Sequence, residues 1–119
     1  MNRRILLQLV DYCRTVEPVA SSRHAAAVVY KNKIIAVGCN STKTHPIQAK
    51  YGRNSKSIHL HAEVHAMIKA TALIGEKKLK VCELYVIRLG RTGELMNSKP
   101  CHGCQRMIDD LGFTRVYHS

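Results

Sequence analysis

Leu6, Leu9, Val10, Cys13 and Val16 recur at the i, i+3, i+4, i+7 spacing of one helix face, which predicts a helix over residues 3–16 that stops before Pro18. The period then shortens. H-A-A-A-V-V-Y (24–30) and K-I-I-A-V-G (33–38) flank Lys31-Asn32 and predict a β-hairpin. Residues 39–58 show no period, are basic, and carry Ser, Thr, Pro and Gly, so they read as a long loop of the functional or mobile kind. Helical spacing returns over 61–73 with Val64, Met67, Ile68 and Leu73 on the apolar face. A buried strand is expected over 81–89, turn-like residues over 90–95, a helix from Pro100 to Leu111 closed by Gly112, and a last short strand over 114–117. Strands alternating with helices predict an α/β fold with helices packed on a sheet, in one domain spanning 1–119.

Charge adds a direction to this picture. The net charge is +11, and no Asp or Glu occurs between Glu17 and Glu63, while Arg23, Lys31, Lys33, Lys43, Lys50, Arg53 and Lys56 all fall there. Such a balance favours polyanions or phosphorylated small molecules, with a merely solvated basic face as the alternative. The chain has no Trp and one Phe, which argues against non-specific single-strand binding as its sole function, since that needs stacking platforms. Five cysteines is an odd number, and Cys13, Cys39 and Cys82 lie in apolar surroundings, as in a reduced intracellular protein. The start, M-N-R-R-I-L-L-Q-L-V-D, has too short an apolar run for a signal peptide, and no stretch has transmembrane length. The expectation is a cytoplasmic protein, host-cytoplasmic if viral, without a membrane partner.

The chemistry concentrates in two short motifs. Cys101 and Cys104 in P-C-H-G-C (100–104) stand three apart at an expected helix N-terminus, which places both sulfurs on one face and favours thiolates. Alone, that pair could be redox-active. With His61 from the second expected helix it becomes a three-ligand set suited to tetrahedral zinc. L-H-A-E-V-H-A-M (60–67) is not the zinc-protease H-E-x-x-H, because Glu63 stands one place too late. A closed structural site recruiting His65 as a fourth ligand remains open; the other reading makes His65 a packing or supporting histidine. Glu63 is what a closed site leaves unexplained. Two residues apart on a regular helix means about 200° of rotation, so His61 and Glu63 can reach one centre only if His61 sits in the irregular entry turn. An open zinc site with a carboxylate beside it is a hydrolytic device.

H-A-E (61–63), P-C-H-G-C (100–104) and the strand-end G-C-N (38–40) together resemble the zinc-dependent cytidine and deoxycytidylate deaminase superfamily over about His24 to Tyr117. The resemblance implies a small mixed sheet of about four strands in a three-layer domain, with the zinc site at two helix N-termini. It implies that His61, Cys101 and Cys104 hold zinc with water in the fourth position. Glu63 would take a proton from that water and deliver protons to the ring nitrogen and the departing ammonia. Asn40 matches a position that contacts sugar or base, and Ala62 would line the pocket floor.

Subfamily signals are weaker than the zinc signature. A histidine as first ligand argues against the small three-cysteine cytidine deaminases. R-H-A-A-A (23–27) and I-H-L (58–60) depart from the tRNA adenosine deaminase pattern. The layout looks most like deoxycytidylate-type and short phage-like members. The expected substrate is therefore a cytosine nucleotide such as dCMP, its phosphate held by Lys43, His45, Lys50 and Arg53. The alternatives are a deaminase acting on single-stranded DNA or RNA and a non-catalytic zinc-stabilised module. The chain stops after its last expected strand, where relatives commonly continue, and an uncovered sheet edge there suggests a homo-oligomer. The 90–98 insertion, G-R-T-G-E-L-M-N-S, reads as a gate or as a plain exposed hairpin.

Overall fold

The first helix begins where a side chain satisfies its free N–H groups. Asn2 Oδ1 accepts from the Arg4 and Ile5 amides at 2.9 and 3.3 Å, and α1 (Arg3–Cys13) follows, burying Ile5, Leu9, Val10 and Cys13. The structure, a computed structural model, describes residues 2–19, 22–41, 46–51 and 60–119. α1 ends at Cys13, short of the expected residue 16. The amides of Thr15 and Val16 turn back to the Tyr12 and Cys13 carbonyls, and the Thr15 hydroxyl also donates to Tyr12 O at 2.7 Å. That local bonding competes with the helical ladder.

β1 (Arg23–Tyr30) and β2 (Lys33–Cys39) form the expected antiparallel hairpin, closing at Tyr30 opposite Lys33. Lys31 and Asn32 have φ of 49° and 63°, the left-handed pair that lets a two-residue turn follow the strand twist. β3 (Glu83–Leu89) lies antiparallel on the other side of β1. The outer edge of β3 is shared: β5 (Arg115–His118) runs parallel along residues 83–86, and β4 (Leu95–Met96) pairs antiparallel with Arg88 and Leu89. The sheet is mixed and five-stranded, one strand more than expected. β4 was invisible to alternation because two residues cannot show a period; it makes 90–98 a hairpin arm off β3.

Three further expectations change. α2 (Pro46–Tyr51) occupies part of the segment read as loop. Helix α3 (Ala62–Ile74) leaves Leu73 64% exposed at its far end, and Val81, expected in the strand, is 69% exposed in the turn after α4 (Glu76–Leu79). The strand starts later because the chain is still turning there: Val81 and Cys82 donate to the Lys78 and Leu79 carbonyls.

Alternation builds the layers. Ala25, Ala27, Val29, Ile87 and Leu89 face α1, while Ala26, Val28, Leu84 and Val86 pack with Val64 and Met67 of α3 and Cys104 and Ile108 of α5 (His102–Leu111). Helices thus cover both faces, and the expected three-layer arrangement holds. Each fully buried Leu or Ile contributes about 1.5–3 kcal/mol. Among the described residues no helix is long and apolar enough to cross a membrane.

Candidate active site

Two helix starts converge on one side of the sheet. His61 is the N-cap of α3, extended at φ −84° and ψ 154°, so its side chain is free of the helical rotation that would separate it from Glu63. Its backbone N–H donates to Gln48 Oε1 at 3.1 Å; Gln48, on α2, is itself buried. Cys101 is the N-cap of α5, and its Sγ accepts from the Cys104 amide at 3.5 Å. The start of α5 is docked on the end of α2. A Cβ on Gly103 would collide with the Tyr51 carbonyl, and the Tyr51 hydroxyl donates to Asp110 Oδ2 at 2.7 Å. Gly38 does the same for α3: a Cβ there would stand 2.5 Å from Ala66 N and 2.6 Å from Ala62 O.

His61 Nδ1 lies 3.2 Å from Cys104 Sγ and 3.6 Å from Cys101 Sγ, and the three donor atoms lie within 4.8 Å of one another. A tetrahedral zinc with Zn–S near 2.3 Å and Zn–N near 2.0 Å needs N···S separations of roughly 3.5 Å. The donor set fits zinc in chemistry and in spacing. Among the described residues this is the one such group, and it has three members. His65 is not a fourth. Being four residues into the chain from an N-cap, it follows the regular helix and turns to β2, where its Nδ1 accepts the Cys39 N–H at 3.2 Å. It is the supporting histidine of the second reading.

Electrostatics follow the same geometry. Hydrogen bonds from the Cys104 thiol and then from His61 pull Cys101 down to about 3, while holding that shared proton and burial push the Cys104 thiol up. The bond to Cys101 raises His61. Glu63, in the first turn of α3, is buried, and desolvation raises its carboxyl above the usual range. It stands two residues along the chain from His61, and both line the same cavity.

The cluster opens on a cavity of about 440 Å³, within the size that accommodates a small organic ligand. Asn40, Ala62 and Glu63 line it, as do His61 and Cys101. The Asn40 amide is anchored: its Oδ1 accepts the His24 N–H at 2.9 Å and its Nδ2 donates to the Ser22 carbonyl at 3.4 Å. Lys50 does not line the cavity; its ammonium stands 5.2 Å over the Tyr51 ring. Lys43, His45 and Arg53 lie outside the described residues. Sequence reasoning missed Gln48, His24, Arg88, Ser98 and Lys99, all at or beside the site. For Gln48 there was a signal: Pro46 at a helix start with Ile47 and Tyr51 four apart, an amphipathic turn hidden in a basic stretch. His24 and Arg88 meet only across strands, while Ser98 and Lys99 stand directly before P-C-H-G-C and could have been read from that adjacency.

Known proteins carry the same frame. The dCMP deaminase of cyanophage S-TIM5 superposes with a TM-score of 0.65 at 24% identity, covering 99% of this chain and 84% of that one. Its complex with dCMP and dUMP gives 0.60 at 21% identity, covering 99% and 82%. The cytidine deaminase of Mycobacterium tuberculosis gives 0.60 at 14% identity, covering 100% and 85%. At these identities the likeness is one of fold. No curated protein matches. The family model for the cytidine and deoxycytidylate deaminase zinc-binding region matches residues 2–119. A matched region spanning nearly the whole chain, on a fold shared with solved deaminases and around a donor set fit for zinc, means that this chain belongs to the cytidine and deoxycytidylate deaminases, zinc-dependent hydrolases.

Proposed function

We propose that this chain hydrolyses the amino group of cytosine in a nucleotide, dCMP foremost, releasing ammonia and leaving uracil. The observation that carries the reading is Glu63: a buried carboxyl two residues from His61, beside Cys101, on the wall of a cavity large enough for a mononucleotide. His61, Cys101 and Cys104 would hold zinc, which when bound supplies Lewis-acid activation of water. Glu63 receives the proton released on activation. It returns that proton to the ring nitrogen next to the reacting carbon, then takes the second proton from the new hydroxyl on that carbon and delivers it to the leaving amino group. Its burial suits the role, because desolvation raises the proton affinity of the carboxyl and so favours its holding a proton between the two transfers. Ala62 forms the floor between ligand and acid–base group, and the anchored Asn40 amide orients the sugar. The choice of dCMP draws support from the phage relative, whose structure was obtained with dCMP and dUMP.

The test is to incubate the zinc-loaded protein with dCMP, dCTP, deoxycytidine, single-stranded DNA and tRNA, and follow loss of the amino group. dCMP should be converted fastest. Glu63→Ala should keep its zinc and lose turnover by about 10²–10⁴-fold. Near-normal turnover in that variant on every cytosine substrate would end the reading. The +11 charge favours a second one, action on single-stranded nucleic acid. That reading requires a steep fall of binding with salt, whereas a mononucleotide enzyme shows a shallow one. The expected homo-oligomer, associating through the sheet edge at the last strand, β5, belongs to the same proposal and is read by sedimentation velocity.

A further inference from the structure

Arg88 enters the cavity wall from β3 as a cation that makes no ion pair among the described residues. Its side chain is half-buried, and the one ion pair among the described residues joins Arg14 and Asp11 on the surface. Glu63, the acidic residue of the wall, makes no ion pair with it. Partial withdrawal of a guanidinium from water without an anion is unfavourable, and an anionic ligand in the cavity would offset that cost. The group is also aimed. Arg88 Nε and Nη2 both donate to the hydroxyl of buried Ser22, at 3.2 and 3.1 Å, and Nη1 makes no hydrogen bond among the described residues. The Ser22 carbonyl in turn accepts from the Asn40 amide, so one residue sets the position of both side chains on the wall.

A second cation joins it. Lys99 lines the same cavity, and the strip that carries it is tied to β3: buried Ser98 donates to the Val86 carbonyl at 2.8 Å, and the Lys99 N–H bonds Asn97 Oδ1 at 3.1 Å. A fixed planar fork beside a mobile ammonium is the donor combination suited to a phosphate. The geometry points to a phosphate subsite inside the cavity, built from Arg88, its Ser22 brace and Lys99, that holds the terminal phosphate of a mononucleotide substrate. This rests on the nucleotide reading above and moves the phosphate from the basic 43–56 stretch to the cavity wall.

The experiment compares the zinc-loaded protein with Arg88→Gln, Arg88→Lys and Lys99→Gln, each checked for folding by circular dichroism and for zinc content. kcat/KM is measured for dCMP, deoxycytidine and a short single-stranded oligonucleotide, and inorganic phosphate binding by calorimetry. Arg88→Gln should lower kcat/KM for dCMP about 100-fold more than for deoxycytidine, with Arg88→Lys between the two. Exposed Lys99→Gln, which carries the test if Arg88→Gln does not fold, should lower the same ratio about 5-fold, as expected for a partly solvated contact. Equal changes on nucleotide and nucleoside overturn the subsite while leaving the deaminase reading intact. A larger Arg88 dependence for the oligonucleotide than for dCMP overturns the mononucleotide assignment. If no cytosine compound is converted but Arg88→Gln weakens phosphate binding about 10-fold or more, the subsite stands and the deaminase reading falls. Phosphate binding that ignores Arg88 overturns the subsite whatever the activity.

Discussion

The two faces of the sheet come from the same strands and do different work. Under α1, Ala25, Ala27, Val29, Ile87 and Leu89 meet Ile5, Leu9 and Val10 in a layer whose contacts are apolar. On the other face alanines gather where α3 meets the strands, Ala26, Ala36, Ala62, Ala66 and Ala70, with Gly38 permitting backbone-to-backbone approach. Small residues bring the start of α3 close to the strand ends, and that face runs out into His24, Arg88 and Asn40 at the cavity. Period-two alternation therefore divides one strand between stability and chemistry. The face that carries the site has the closer backbone approach, at Gly38 against α3.

The largest effect expected from breaking the chemical face is at a donor. Cys104→Ala should lower zinc affinity by more than the roughly 100-fold that disturbing a supporting hydrogen bond produces, and turnover should vanish with the metal. Zinc content after dialysis and deamination rate are the readouts; a variant that keeps stoichiometric zinc would contradict the donor set. Leu9→Ala, at the centre of the α1 face, should remove about 2–5 kcal/mol of stability while leaving zinc content and the kcat of the folded fraction unaltered. Urea unfolding and active-site titration separate the two quantities.

Gly38→Ala sharpens the comparison because it is a packing change on the chemical face. The added methyl must displace α3, at about 1–3 kcal/mol, and kcat should fall with stability, unlike Leu9→Ala. The smallest effect concerns acid. Burial, the Arg88 charge and His61 lower His24 below its ordinary 6.5. The unfolded chain then binds a proton below pH 6.5 that the folded one resists, so stability is full above 6.5 and declines as pH falls toward the lowered value. Melting temperatures of the parent and of His24→Gln, both loaded with zinc, should converge in their pH dependence only above 6.5; parallel curves through the acid range would show His24 contributes nothing to it.

Much of the architecture was readable from local pattern. The hairpin at Lys31-Asn32, the helix closed by Gly112 and the Leu9, Val10 and Cys13 part of the α1 face each depend on neighbours a few residues apart, and each appears as expected. The misses share a cause. β4 is two residues long and α2 six, too short for a period to rise above the surrounding polar sequence. Val81 is apolar yet lies in a turn, because the preceding α4 carries the chain past it before the strand begins.

Local spacing was enough to name the atoms that can form the metal centre: two cysteines three apart and a histidine with a glutamate two places on, each at a helix start, where ligand geometry is a local property. Only the tertiary structure decided that His61 leaves the helical register, that Gln48 holds its backbone, and that His65 turns to β2. Likewise only the fold brings Ser22, Asn40, Arg88 and Lys99 to one wall. Spacing along the chain records contacts within one turn or one hairpin. The wall is made by strand register and helix docking between residues far apart in sequence, where no local pattern carries the information.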